Sequence, residues 1–111
     1  KALAIQIKAL GPEHASVGNT YNNIAIVLQN QGKLDEAREY YDKALAIQIK
    51  ALGPEHASVG DTKYNIAQLA ERQGDTQGAK RLFTEAAATY RATYGAEHPE
   101  TLDALQQAAA L

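Results

Sequence analysis

Glu-His pairs occur at Glu13-His14, Glu55-His56 and Glu97-His98, each 42 residues after the last. A carboxylate beside an imidazole is the raw material of a metal site or of acid–base chemistry. The spacing argues against both. Ligands of one zinc lie within about 2.3 Å of the metal and must converge on a single point. Equivalent residues of neighbouring repeat units sit roughly 10 Å apart, one helix-packing distance. A single Glu-His pair offers too few ligands on its own. The simpler reading is a loop and helix cap copied with each unit. Ser16 and Ser58 each follow a His by two residues, which is too local for a nucleophilic triad. There is no Cys nucleophile, no glycine-rich phosphate loop and no HExxH motif. No enzymatic activity, bound metal or cofactor is expected.

Two asparagines ask for another kind of explanation. Asn23 and Asn65 stand at the same place in successive units, in mid-helix, where Asn is a mediocre helix former. A ligand-facing amide is one cause, and a hydrogen bond to a neighbouring helix is the other. Tyr40, Tyr41, Tyr90 and Tyr94 read as packing residues, because the basic groove a base-stacking platform needs is absent. Gly18 and Gly60 fall inside helices at a cost of about 1 kcal/mol each relative to Ala. Close approach of the preceding helix is the expected reason. Gly78 replaces the Glu36 of the earlier unit and should soften the start of its helix.

The elements that position these residues follow from the repeat. Residues 1–18 recur without a substitution as residues 43–60, and Gly95, Glu97 and His98 mark a looser third copy. Self-similarity at a period of this size means stacked units. Gly11-Pro12 and Gly53-Pro54 stop a helix, and Gly95 repeats the first half of that device. Pro99 suits the first position of a helix, so His98 is the expected N-cap, and by register His56 and His14 are too. Val17, Tyr21, Ile24 and Leu28 fall at helical spacing from Ala15 to about Asn30. A second helix is expected from Leu34 to Leu52. Its apolar stripe is Ala37, Tyr41, Leu45, Ile49 and Leu52, widened by Ala44, Ile47 and Ala51. Asp35 and Glu36 in its first turn suit the helix dipole. Further helices are expected over about 57–73 and 75–94, and from Pro99 to the end. Residues 1–10 match the end of a second helix. The expected layout is therefore a single array: a helix end at 1–10, units at 15–52 and 57–94, and a partial or capping helix at 99–111.

Composition narrows the partners. Thirteen acidic residues against 11 basic give a formal charge of −2, with no Lys/Arg cluster, so neither nucleic acid nor an anionic membrane is an expected partner. The apolar runs are only a few residues long, too short for a membrane span. The absence of Cys excludes a disulfide framework and fits a reducing compartment, with a cytoplasmic location the expectation. The chain opens on Lys1 in mid-pattern and reads as an excised fragment.

The unit YNNIAIVLQNQGKLDEAREYYDKALAI resembles a tetratricopeptide repeat. Tyr21, Ile24 and Ala25, then Ala37, Tyr41 and Ala44, stand at that family's bulky, aliphatic, small, small, aromatic and small positions. Ile66, Ala67, Ala79, Phe83 and Ala86 keep the pattern, while Lys63 departs from it. Two extra helical turns and the LGPEH loop extend the unit to 42 residues, which resembles the repeats of kinesin light chains. The resemblance implies an all-α solenoid of helix–turn–helix repeats in a right-handed superhelix, with first helices lining a concave groove that binds a protein or peptide segment. Carried over residue by residue, that groove would hold Asn22, Asn23, Ile26, Gln29, Asn30, Tyr64, Asn65, Gln68, Glu71 and Arg72. This surface is nearly neutral and rich in amides. The basic residue of the terminus-clamping members is replaced by Asn19 and Asp61, so no carboxylate clamp is expected. The alternative reading is a structural repeat that stacks end to end through its terminal helices, a homo-association that charged replacements at Leu3 and Ile5 would break.

Overall fold

The computed structural model describes residues 15–111, and among these every regular element is helical. Five helices follow in order: α1 Ala15–Asn30, α2 Leu34–Leu52, α3 Ala57–Arg72, α4 Thr76–Tyr94 and α5 Pro99–Ala110. The chain divides into two compact units between Gly53 and Pro54. The first holds the hairpin α1/α2, and the second holds α3/α4 with α5 against α4. The expected helix end at 1–10, and with it His14, Leu3 and Ile5, lies outside the described residues.

Local chemistry sets the helix ends. His56 precedes α3 in an extended conformation, and its Nδ1 accepts the Ser58 N–H at 3.0 Å. His98 does the same for α5, accepting from the Glu100 N–H at 3.1 Å, with Pro99 as the first helical residue. Each imidazole satisfies one of the backbone donors that a helix start leaves without an intrahelical partner. At the other end, Gly53 and Gly95 follow α2 and α4 at φ 95° and 100°, a region that costs an L side chain. Their N–H groups close the last turns onto Ile49 and Arg91, each at 2.9 Å.

The start of α4 departs from expectation. Asp75, the register partner of Lys33, caps the helix by accepting the Gly78 N–H at 2.9 Å. Lys33 makes no such side-chain bond at α2, whose first turn carries Asp35 and Glu36 instead. The loss of Glu36 at Gly78 is thus offset by a cap, and a Cβ at Gly78 would meet the Asp75 carboxylate.

In the first unit the buried stripe of α2 is Ala37, Tyr41, Ala44 and Gln48. Ile49 and Leu52, expected in the stripe, are exposed. Four residues turn a helix by about 400°, so a run at strict steps of four drifts about 40° each time and leaves the contact face. Mixing steps of four and three holds the face, at the expense of burying an amide, Gln48. Opposite it, Val17 and Ala25 of α1 are fully buried.

Alanine dominates the core of the second unit: Ala67, Ala70, Ala79, Ala86 and Ala104 are buried around Ile66, Leu69 and Phe83. Small side chains let the helices approach closely, and Phe83 fills the remaining space with a burial contribution of about 1.5–3 kcal/mol. The helix that crowds each mid-helix glycine is the one that follows. A Cβ at Gly60 would lie 2.9 Å from Tyr90 Cε1, and one at Gly18 would lie 3.2 Å from Gln48 Cγ.

Candidate interaction face

The residues expected to line a groove fall on α1 in the first unit and on α3 in the second. On α1, Asn23 and Asn30 are exposed and Asn22 is half-buried. Ile26 is exposed as well, and so is Val27, which the groove expectation did not include. Asn23 borders a shallow apolar pocket of about 410 Å³ with Thr20, Ile24, Val27 and Leu28. Gln29 turns the other way: its Oε1 accepts the Tyr41 hydroxyl at 2.8 Å, which fixes α1 to α2. Its amide is a structural acceptor. Burial raises the Tyr41 phenol above its ordinary pKa, so it stays a donor.

In the second unit Gln68 and Arg72 are exposed along α3, while Tyr64 and Asn65 are half-buried. Asn65 lines a cavity of about 260 Å³ with Asp61, Tyr64, Tyr90, Glu100 and Asp103. Two phenols donate into this site. The Tyr64 hydroxyl reaches Asp103 Oδ2 at 2.6 Å, and the buried Tyr90 hydroxyl reaches Asp61 Oδ1 at 2.6 Å. Burial first, then donation to Asp103, pushes the Tyr64 phenol up to about 12. Burial and the bond to Asp61 raise Tyr90 in the same way. The face was expected to be nearly neutral. Around Asn65 it is acidic, because α5 adds Glu100 and Asp103 to the Asp61 of α3.

Three acidic positions of this cavity were missed in the sequence as site residues, although a signal for two was present. A shift of 42 carries Asn19 to Asp61 and Asp61 to Asp103. One register position therefore supplies both phenol acceptors. The second unit also has an apolar groove of about 520 Å³ between α4 and α5, lined by Ala87, Ala88, Arg91, Ala92 and Leu105 among others. It followed from no motif.

In the two described Glu-His pairs the histidine is used structurally. His56 and His98 are the caps described above, and the His98 ring also stacks on Tyr94 with centroids 4.2 Å apart. No group of three or more His, Cys, Asp or Glu able to hold a metal ion occurs among the described residues. Nor is any described helix long and apolar enough to cross a membrane. Tyr41 and Tyr90 are packed as expected, whereas Tyr94 is exposed at 45% and held by its stack on His98.

The tetratricopeptide repeat family matches residues 16–92. Among solved structures, the chain is similar to a candidate kinesin light chain of Podosopora anserina with nearly identical TPR-like repeats, at 32% identity and a TM-score of 0.80. That match covers 96% of this chain and 52% of the other. A point variant of the same protein matches at 31% identity and a TM-score of 0.79, over 96% and 51% of the two chains. BtubC (BKLC) from P. vanneervenii shares the fold at 20% identity, with a TM-score of 0.73 over 98% and 52%. The chain thus spans about half the length of each of these proteins. No curated protein matches its sequence.

Proposed function

Because the chain belongs to the tetratricopeptide repeat family, whose repeats are generally protein-interaction scaffolds, we propose that its first-helix faces hold a peptide or protein segment. The observation that carries this reading is the state of the two register-equivalent asparagines. Asn23 is exposed beside an apolar pocket, and Asn65 opens on a polar cavity. Neither is enclosed as a structural amide would be. An exposed amide offers both a donor and an acceptor to an extended backbone. Neutral bonds of this kind contribute only about 1 kcal/mol each, so affinity rests on several of them plus apolar contact with Ile26 and Val27. The family's general role as a scaffold agrees with this reading.

The test is to select peptides against the chain by display, then to measure their affinity for a variant carrying Asn23→Ala and Asn65→Ala. Loss of binding with unchanged helicity is the expected result. Undiminished affinity would remove both asparagines from the site.

A second reading, stacking of copies through the α5 end, is favoured by one observation. Leu102 and Leu105 are exposed at 51% and 47%, and Leu105 borders the apolar α4/α5 groove. On that reading Leu105→Glu abolishes a concentration-dependent rise in mass seen by sedimentation velocity. A chain monomeric at every concentration excludes it.

A further inference from the structure

The first helices α1 and α3 share eight of 16 residues. The second helices α2 and α4 share only the alanines at 37/79, 44/86 and 46/88, so the small-residue contacts of the hairpin recur while most of the second helix does not. Many positions that differ between the copies face one another across the hairpin. In the first unit Lys43 Nζ lies 5.8 Å from the ring centre of Tyr21 and 5.0 Å from that of Tyr40. The two rings are themselves 5.7 Å apart. This is a cation held between aromatic faces of both helices. A shift of 42 carries Tyr21 to Lys63, Tyr40 to Leu82 and Lys43 to Glu85. In the second unit Lys63 Nζ pairs with Glu85 Oε1 at 3.3 Å, and Leu82 is buried. Every member of the contact has changed, and the contact has been kept in a different chemistry.

Two other sites also change in pairs. The bond from Tyr41 to Gln29 is lost where Phe83 and Glu71 stand, so the hydroxyl and its amide acceptor have gone together. Where Gln48 and Asn19 stood, the second unit has Tyr90 and Asp61, whose phenol donates to the carboxylate at 2.6 Å. By contrast Val17, Gly18, Ile24, Ala25, Ala37 and Ala44 recur unchanged as Val59, Gly60, Ile66, Ala67, Ala79 and Ala86. The shared residues give both hairpins the same small-residue contact, and the paired differences distinguish the two.

We propose that these paired substitutions form a pairing code that keeps each first helix with its own second helix. The crossed combinations are chemically mismatched. Pairing α3 with α2 sets Lys63 against Lys43, two cations at one contact, which is destabilising as like charges on neighbouring helical positions are. Pairing α1 with α4 gives Tyr21 a carboxylate, Glu85, where it had a cation, and it gives Gln29 the ring of Phe83 in place of a hydroxyl. Discrimination is a difference between two affinities, and a repulsive element in the wrong pairing is the usual way to widen it. The code is independent of whether the chain binds a partner.

The test uses the full chain and two substitutions at one exposed position. Lys43→Glu gives α2 the acid that Lys63 recognises, so α3 can choose between α2 and α4. Lys43→Gln removes the same cation without creating a rival acid. Refolding from denaturant is followed by fluorescence and circular dichroism, and the refolded product by amide resonances. The code predicts a second, slower refolding phase and a second set of resonances for Lys43→Glu, with Lys43→Gln refolding in one phase as the parent does. Identical behaviour of the two variants, whether both single-phased or both heterogeneous, would overturn it.

Discussion

A phenol that donates to a carboxylate in a partly enclosed site has a distinctive titration, and Tyr64 carries it. Its folded-state value of about 12 lies above the ordinary 10.0, through burial first and the bond to Asp103 second. The sign follows from linkage. Stability from this group is fully present below pH ~10 and is lost as pH rises through the window up to about 12. An ultraviolet titration of the six tyrosines should therefore show one phenol ionising near 12, and Asp103→Asn should draw it back toward 10. The caps are a second matter for single residues. His98→Ala removes the Nδ1 acceptor of the Glu100 N–H and the stack on Tyr94, at an expected cost of about 1 kcal/mol or somewhat more. His98→Asn, which can still cap, should recover most of it in a denaturant titration. The cap was legible in the sequence because Pro99 marks a first helical position. The phenol–carboxylate pair was harder to read, since Tyr64 and Asp103 are 39 residues apart and only the repeat register links them.

The helices themselves were legible nearly to the residue, because Gly, Pro and His punctuate each one. What faces inward was less so. The step-of-four run Tyr41, Leu45 and Ile49 looks like a stripe in one dimension, yet on a helix it rotates away from α1, and Gln48 takes the buried place. Gly60 marks a close approach of α3 to Tyr90 of α4. Gly60→Ala gains about 1 kcal/mol of helix propensity but puts a Cβ 2.9 Å from the buried Tyr90 ring. Overpacking of this kind costs about 1–3 kcal/mol, so a net loss is expected. Gly18→Ala meets the flexible Gln48 at 3.2 Å and should lose less. Thermal unfolding of the two variants gives the order directly, and the reverse order would mean that Tyr90 yields more readily than Gln48.

At the scale of the whole chain, the 42-residue period announced a repeat protein before any helix was placed, because duplicated residues survive where each unit needs the same turn and the same close contact. The period did not announce the local charge of the faces. α1 carries no charged residue, whereas α3 and α5 together set Asp61, Glu100 and Asp103 around one cavity. That difference arises from Asp61, which stands where the first unit has Asn19 and recurs as Asp103, and from Glu100, which stands where the second unit has Ser58. The central claim is that a partner is held on the first-helix faces. Amide chemical-shift mapping of the labelled chain, titrated with a display-selected peptide, tests it most directly. Shifts concentrated on α1 and α3, around Asn23 and Asn65, are expected. Shifts confined to α2 or to the α4/α5 groove, with Asn23 and Asn65 unmoved, would contradict it.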